Sequence, residues 1–255
     1  MQSIRSTSLG LRRCASDAFG LKERESKEMK GLKHYFTKGE LALWAGSVTV
    51  IIVAFCLFDR ESYMTLIASL IGVTSLIFAA KGNPVSQAFI IVFSILYGII
   101  SFSFAYYGEM ITYLGMTMPM AVIALIAWLR HPYKGNRAEV QVNRIGKKDV
   151  IMMFLLTTAV TVCFYFILEA FGTANLLPST LSVATSFIAV YLTFRRSPYY
   201  AVAYAANDMV LIVLWVLAMM KDIHYISVVA CFVMFFINDL YGFVSWRRME
   251  KRQRE

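Results

Sequence analysis

The sequence predicts an all-α integral membrane protein with eight transmembrane helices. Of its 255 residues, 58% are hydrophobic and only 16% are charged, and the charged residues cluster between apolar runs. The apolar runs are mostly about 18 to 22 residues long, enough for a helix to cross a hydrocarbon core of about 30 Å. A helix also satisfies its own backbone hydrogen bonds, which lipid cannot do.

Eight runs are apolar enough to cross the membrane, and they define the predicted elements in chain order. We predict spans one to eight at residues 41–58, 63–80, 85–106, 111–128, 151–170, 181–194, 199–218 and 225–246. The polar, mixed-charge residues 1–40 are too charged for a secretory signal and are expected to form a cytoplasmic tail.

The charges between the spans predict the orientation. Every second connection is basic, with Lys81, residues 130–148, and the pair Arg195 and Arg196. The alternate connections are rich in Asp and Glu. Because cytoplasmic loops of membrane proteins are enriched in Lys and Arg, we expect both termini in the cytoplasm. The same distribution accounts for the net charge of +9 without a nucleic-acid partner.

Two short patterns recur and suggest an internal repeat. The turn Lys81-Gly-Asn-Pro84 is matched by Arg195-Arg-Ser-Pro198, and Trp128-Leu-Arg130 is matched by Trp246-Arg-Arg248. One span separates the two triplets, so both copies would lie the same way up, as parallel repeats. The alternative is a similarity that any two polytopic segments share.

The repeat divides the chain into an extra N-terminal span followed by a 3+1+3 arrangement of parallel three-helix repeats. The predicted segments are a polar tail at residues 1–40, an extra span at 41–62 and a first repeat at 63–130. They continue with a basic loop and linker helix at 131–175, a second repeat at 176–248 and a basic tail at 249–255.

Span seven carries the strongest candidate site. Tyr204, Asn207, Asp208 and Trp215 fall at helical spacing on one face, with Tyr200 one turn earlier. An ionised Asp near the bilayer centre costs roughly 2.5 to 3.5 kcal/mol, so it needs a partner, water or a cationic ligand. A hydrogen bond to a neighbouring helix, for packing alone, is the alternative.

Spans three and eight add further polar candidates. Asn238 shares a face of span eight with Gly242 and Trp246, and Gln87 and Tyr97 lie in span three. Asp239 follows Asn238. These side chains would suit a hydroxylated solute, and they are equally ordinary partners for interhelical hydrogen bonds.

Other chemistries lack their motifs. The sequence has no G-x-x-x-x-G-K-[ST] loop, no H-E-x-x-H and no G-x-S-x-G, so we expect neither an enzyme nor an ATP-driven pump. The three histidines have no second ligand nearby, and the four cysteines have no CxxC spacing, so no metal and no cofactor is expected. No Lys or Arg lies near the middle of a span, which favours a nucleoside over a nucleotide.

At these residues the chain resembles the PnuC-type nicotinamide riboside transporters of bacteria. The similarity extends over roughly residues 40–250 and rests on five segments: Arg196-Ser-Pro-Tyr-Tyr200, Tyr204-Ala-Ala-Asn207-Asp208 with the following run to Trp215, Tyr107-Gly108-Glu109-Met110, Lys81-Gly-Asn-Pro84, and Asn238-x-x-Tyr241-Gly242-x-x-x-Trp246.

The resemblance implies a transporter in the bacterial cell membrane that takes up nicotinamide riboside, an NAD precursor, by facilitated diffusion, with trapping by cytosolic phosphorylation. It also implies an aromatic face from Tyr200, Tyr204 and Trp215 for the pyridinium cation, a counter-charge from Asp208, and ribose hydrogen bonds from Asn207 and Asn238.

The resemblance leaves the substrate and coupling open. Members of the family associated with nicotinamide riboside often carry two tryptophans three positions apart just before the span-seven Asn, where this chain has Tyr200 and Ala203. Thiamine, riboflavin and deoxyribonucleosides are the alternative solutes, and proton coupling through Asp208 or Asp239 is the alternative mechanism. A membrane-embedded binding protein or enzyme is the alternative of another class. The sequence is also compatible with a homo-oligomer.

Overall fold

The computed structural model describes residues 35–103, 107–173 and 175–255. Contacts divide the described residues into two units, with the boundary in the chain between Leu43 and Trp44. In the first unit, the backbone N–H of Thr37 donates to Glu40 Oε2 at 2.7 Å, and the backbone N–H of Glu40 donates to Thr37 Oγ1 at 3.2 Å. This reciprocal pair caps the start of the first helix. Residues 1–34, which include most of the predicted tail, lie outside the described residues.

Eight helices are long and apolar enough to cross a membrane, which confirms the predicted multi-pass membrane protein. They are α1 Lys38–Phe58, α2 Tyr63–Ala80, α3 Val85–Ser103, α4 Tyr107–Arg130, α5 Lys147–Ala170, α6 Leu176–Phe194, α7 Tyr200–Met219 and α8 Ile226–Arg252. A 3-10 turn, Ile223–Tyr225, precedes α8.

The helices and the predicted spans differ mainly at their ends. Helix α6 begins five residues before predicted span six, since Pro178 is tolerated in the first turn of a helix. Helices α4, α5 and α8 extend into their charged flanks because charged residues are good helix formers that snorkel to the interface. The last residues of predicted span three, 104–106, lie outside the described residues.

Helix α4 contains a π-helical turn at Tyr113–Thr117, which the hydrophobic pattern did not predict. Pro119 follows directly. Because a proline ring clashes with the carbonyl four residues before it and has no N–H to donate, the regular α-helical ladder cannot continue through this point. The backbone N–H of Met118 instead donates to the carbonyl of Tyr113, five residues back.

The basic connection after α4 is more ordered than the predicted loop. It holds a hairpin of strands β1 Pro132–Tyr133 and β2 Asn136–Val140, whose turn uses positive φ at Lys134 and Gly135. The backbone N–H of Val140 donates to the carbonyl of Gly82 at 2.9 Å. The hairpin therefore packs against the turn between α2 and α3.

Six of the helices form a closed ring within residues 44–255. In order around the ring, α2 contacts α3, α3 contacts α4, α4 contacts α6, α6 contacts α7, α7 contacts α8, and α8 contacts α2. Helix α5 packs on α6, outside the ring. We call the two ends of the ring the basic end, at connections 81–84, 131–146 and 195–199, and the acidic end, at connections 59–62 and 220–222.

Contacts at the basic end match between the two triplets α2–α4 and α6–α8. Gly82 and Arg196 both adopt a left-handed conformation, with φ of 67° and 56°. The indole of Trp128 donates to the carbonyl of Thr193 at 2.9 Å, and that of Trp246 donates to the carbonyl of Ala79 at 2.7 Å. Each triplet thus contributes a tryptophan to the other. The parallel repeat stays a prediction. Two parallel repeats would be expected to make such reciprocal contacts.

Candidate functional site

A cavity of about 50 Å³ lies inside the ring, and all six ring helices contribute side chains to it. Its polar lining is Ser75 from α2, Gln87 from α3, Tyr113 and Thr117 from α4, Ser186 from α6, Tyr200, Tyr204, Asn207 and Asp208 from α7, and Asp239 from α8. Asn207 and Asp208 lie near the middle of the 20-residue helix α7. The cavity is therefore well placed for a solute to meet both triplets at once.

Asn207 is held by two hydroxyl groups from α6. Its Oδ1 accepts hydrogen bonds from Thr185 Oγ1 at 2.8 Å and from Ser186 Oγ at 2.9 Å. These two donors fix which end of the amide faces α6. The amide nitrogen, at the other end of the group, is a double donor and suits an acceptor such as a hydroxyl oxygen.

Asp208 and Asp239 form a carboxyl pair between α7 and α8. Their side chains are 3% and 4% exposed and hydrogen-bond to each other. A hydrogen bond between two carboxyl groups requires a proton, and two unit charges 4 Å apart would repel by about 4 kcal/mol at an effective dielectric of 20. A proton shared between the two carboxyls would remove this repulsion.

The tyrosines supply aromatic surface near the basic end. The rings of Tyr200 and Tyr204 lie 6.1 Å apart at 81°, and Tyr200 packs edge-on against Trp246 at 4.9 Å. Trp246 in turn lies 5.4 Å from Trp128. Both indoles are fully buried, so they close the ring between the cavity and the basic end.

A second aromatic layer closes the cavity toward the acidic end. The rings of Tyr97 and Tyr113 lie 4.4 Å apart, and Phe93 and Phe232 pack against Tyr97. The indole of Trp215 donates to the hydroxyl of Tyr97 at 2.8 Å. Aromatic layers on both sides leave the cavity enclosed in this conformation.

Beyond that layer, the acidic end carries an open cleft of about 370 Å³. Its charged lining includes Asp59, Arg60, Glu61, Asp222 and His224. The backbone N–H of His224 donates to Asp222 Oδ1 at 3.0 Å, and its ring Nδ1 lies 2.7 Å from the same oxygen. These contacts hold the pKa of Asp222 below its usual range, so the carboxylate stays ionised beside His224.

The structure brings five of the eight predicted site residues together around the cavity: Gln87, Tyr200, Tyr204, Asn207 and Asp208. The other three lie outside the lining. Tyr97 and Trp215 belong to the aromatic layer, bonded to each other. The amide of Asn238 donates to Ser47 Oγ of α1 and to the carbonyl of Met234, each at 2.8 Å.

Other lining residues were not predicted as site residues, although the sequence carried a signal for several. Tyr113 and Thr117 line the cavity and continue at four-residue intervals in α4 from Glu109, which does not line it. Ser186 lines the cavity at the end of a similar polar stripe on α6 that begins with Ser179 and Ser182. Asp239 was noted beside Asn238, and only the rotation of α8 decides which of the two faces the cavity.

Among residues 35–103, 107–173 and 175–255, no group of three His, Cys, Asp or Glu side chains is arranged to hold a metal ion. The cavity lining in the same described residues contains no Lys, Arg or His. The chemistry that the site offers is therefore hydrogen bonding, aromatic surface and negative charge.

Two named proteins are similar to this chain along most of its length. The nicotinamide riboside transporter PnuC of Neisseria mucosa is 25% identical over 259 aligned positions, covering 96% of each chain. The protein of the same name from Haemophilus influenzae is 21% identical over 193 positions, covering 75% of this chain and 82% of that protein.

A solved structure, the crystal structure of the vitamin B3 transporter PnuC, has the same fold. It matches with a TM-score of 0.75 at 22% identity, covering 86% of this chain and 94% of that one. The family model described as nicotinamide mononucleotide transporter matches residues 62–248, which include five of the ring helices and all of α8 except its last turn. The resemblance to PnuC-type transporters is thus confirmed, and this chain belongs to the nicotinamide mononucleotide transporter family.

Proposed function

We propose that this protein carries nicotinamide riboside across the cell membrane by facilitated diffusion, with cytosolic phosphorylation trapping the product. The observation that supports this best is the enclosed cavity at mid-helix depth, lined by all six ring helices and by polar, aromatic and acidic side chains. Discontinuous or polar sites between two repeats near the bilayer midplane are typical of secondary transporters.

The lining suits the nicotinamide ring, which is a pyridinium cation. Aromatic faces attract such cations by roughly 0.5 to 2 kcal/mol, and Tyr200 and Tyr204 present rings to the cavity. Asp208 contributes negative charge. Asn207 and Gln87 are the amides available to the ribose hydroxyls.

The absence of a basic side chain from the described lining favours a nucleoside over a nucleotide as the solute. A phosphate group buried away from water is normally held by Arg, Lys or a helix N-terminus, and here it would meet Asp208 and Asp239 instead. The riboside is therefore the better solute than the mononucleotide that appears in the description of the family.

The size of the cavity implies movement. A volume of about 50 Å³ accommodates only a few water molecules, whereas sites for drug-sized ligands enclose about 300 Å³ or more. The two triplets therefore have to move apart for the solute to enter, which is the movement that alternating access requires.

The membrane potential supplies a driving force that needs no motor domain. With the basic end in the cytoplasm, as the distribution of Lys and Arg indicates, a monovalent cation entering the cell gains about 2.3 kcal/mol per 100 mV. Phosphorylation in the cytosol then removes the free riboside and keeps the gradient inward.

Purified protein in liposomes tests the proposal. We expect radiolabelled nicotinamide riboside to equilibrate across the bilayer and to be competed by unlabelled riboside, but only weakly by the mononucleotide, thiamine, riboflavin or thymidine. Protein that binds the riboside without equilibrating it would be a membrane-embedded binding protein or enzyme. Efficient competition by the mononucleotide would contradict the nucleoside assignment.

A proton-coupled transporter is the second candidate, and the buried pair Asp208 and Asp239 is the observation that favours it. An imposed pH gradient, with the membrane potential clamped at zero by potassium and valinomycin, separates the two mechanisms. Facilitated diffusion predicts uptake that is unaffected by the gradient. Accumulation driven by the gradient would establish coupling.

A further inference from the structure

We infer that Asp208 and Asp239 act together as the charge-selecting element of the site: with a solute bound, the two carboxyls share one proton and present one negative charge to a monovalent organic cation. The inference deepens the proposed function and rests on it. It adds Asp239 to the residues that determine specificity, as a carboxyl that shares this role with Asp208.

The first support is the position of the pair. Both side chains line the enclosed cavity, and both are buried, at 3% and 4% exposure. They come from different helices, α7 and α8, and their carboxyls hydrogen-bond to each other. A solute in the cavity therefore meets the two carboxyls as one unit.

The second support is an unmet hydrogen-bonding need. Oδ2 of Asp208 is buried, and apart from the neighbouring carboxyl of Asp239 no N–H or O–H donor in the described residues reaches it. A buried carboxyl oxygen is ordinarily satisfied by a donor or a cation. Here the oxygen belongs to a cavity that has space for a ligand and no basic side chain of its own.

The groups that face the pair from the surrounding helices do not supply a positive charge. They are Tyr113 from α4, Tyr200 and Tyr204 from α7, and Cys231 from α8. All four are neutral when protonated. The net charge of the site is then set by the carboxyl pair alone, and a solute carrying one positive charge neutralises a pair that keeps one proton.

The alternative is a purely structural pair that joins α7 to α8. In that case the bound solute would not sense the charge, and a cationic and an uncharged solute of the same shape would bind alike. A third possibility is that Asp208 acts alone, and then Asp239 would be dispensable for charge selection.

Nicotinamide riboside and its 1,4-dihydro form provide the matched probes, because reduction removes the ring charge and keeps the shape. We would measure both dissociation constants by isothermal titration calorimetry on the purified full-length chain. The wild type is expected to bind the cation at least ~10-fold more tightly than the uncharged form, the scale of a retained charge–charge attraction. Equal affinities would overturn the inference.

Variants then separate a shared charge from an individual one. Asp208→Asn and Asp239→Asn each leave one carboxylate beside an amide donor, so each should keep the cation preference within about threefold of the wild type, whatever happens to the absolute affinity. The double variant has no charge and should bind the two forms within about threefold of each other. Loss of preference in Asp208→Asn alone would show that Asp239 takes no part.

Glu109→Gln is the matched control. Glu109 is another buried acid, 2% exposed, that lies outside the cavity lining, and its replacement should leave the preference unchanged. If the double variant does not fold, the wild-type ratio and the two single variants still decide the matter. Binding of neither probe to the wild type would instead overturn the proposed function, and with it the inference that depends on that function.

Discussion

At the scale of single residues, the structure separates neighbours that the sequence shows side by side. Asn238 and Asp239 are adjacent in α8, yet the first bonds Ser47 of α1 and the second lines the cavity. Asn207 and Asp208 are adjacent in α7, and both line the cavity, one anchored to α6 and the other bonded to α8. The residues within each pair therefore differ in role because their side chains have different partners, and residue type alone does not show this.

Asn207→Ala is expected to weaken the binding of nicotinamide riboside about fivefold or more, since a single lost hydrogen bond of about 1 kcal/mol has that effect. Thr185 and Ser186 would also lose the acceptor that they share. Calorimetry on the purified variant measures the change.

Asn238→Ala is the comparison for that measurement. Its amide reaches Ser47 and does not line the cavity, so we expect an affinity within twofold of the wild type and a lower thermal stability. A larger loss of affinity in Asn238→Ala than in Asn207→Ala would move the site toward α1.

At Gly72 helix α2 approaches α8 closely, which the sequence did not predict. A Cβ atom there would lie 2.3 Å from Cζ of Phe235, whereas a Cβ at Gly242 would meet its nearest neighbour, Ala201, at an ordinary 3.6 Å. Phe235 also lines the cavity. Space at Gly72 therefore controls the position of a side chain in the site.

Gly72→Ala is expected to force the Phe235 ring to move, with a loss of about 1 to 3 kcal/mol in stability and weaker binding of the riboside. Gly46→Ala is the control, because no atom lies within 4 Å of its added Cβ. Thermal unfolding and calorimetry on both variants test this. An unchanged affinity in Gly72→Ala would show that the ring yields without disturbing the site.

At the scale of helices and turns, the basic end is joined by two tryptophans that act across the triplets. Trp128 of α4 bonds the end of α6, and Trp246 of α8 bonds the end of α2. Sequence reasoning assigns such residues to the membrane interface, where Trp is common. Their complete burial and their bonds to helix-terminal carbonyls show that they also tie the helix ends together.

Trp128→Phe and Trp246→Phe should each lower the stability by about 1 to 3 kcal/mol, because each removes a buried indole hydrogen bond and leaves part of the indole volume empty. Trp44→Phe is the matched control. Its indole bonds Thr74 Oγ1 at a longer 3.2 Å from a half-buried position, and we expect a smaller loss. Thermal denaturation in detergent would show the order. A larger effect at Trp44 would contradict it.

Helix limits were predictable to within a few residues, since the length and polarity of each run set them. Two features were not. The π-helical turn of α4 depends on how the chain accommodates Pro119, and the β1–β2 hairpin is held by its contact with Gly82, a residue far away in the sequence. A hydrophobic profile indicates whether a segment lies in lipid or in water, but it does not indicate which distant residues the segment contacts.

At the scale of the whole molecule, the ring of six helices encloses the cavity between two aromatic layers. Cys231 lies in the layer toward the acidic end, 3% exposed, among Tyr97, Phe93 and Phe232. The other described cysteines, Cys56 and Cys163, are exposed. Cys231 is therefore a natural reporter of whether this layer opens.

In a variant with Ser at positions 14, 56 and 163, we expect Cys231 to react slowly with a small methanethiosulfonate reagent, and at a rate that changes at least threefold when riboside is added. The physical reason is that the solute shifts the population of open and closed states only if it binds them differently. Mass spectrometry follows the labelling. A rate that riboside does not alter would indicate that the layer toward the acidic end stays closed during transport.

The sequence by itself determined that this is a membrane protein, the number of its membrane helices, four of the five side chains predicted on α7 to form the site, and the family to which the chain belongs. These follow from local properties: the length of apolar runs, the cost of burying charge and the helical spacing of polar residues. Only the tertiary structure decided that Asp239 faces the cavity in place of Asn238, that Tyr97 and Trp215 form a closing layer, and that all six ring helices share the site. Those facts depend on the rotation of each helix about its axis, which is set by the packing of helices distant in sequence.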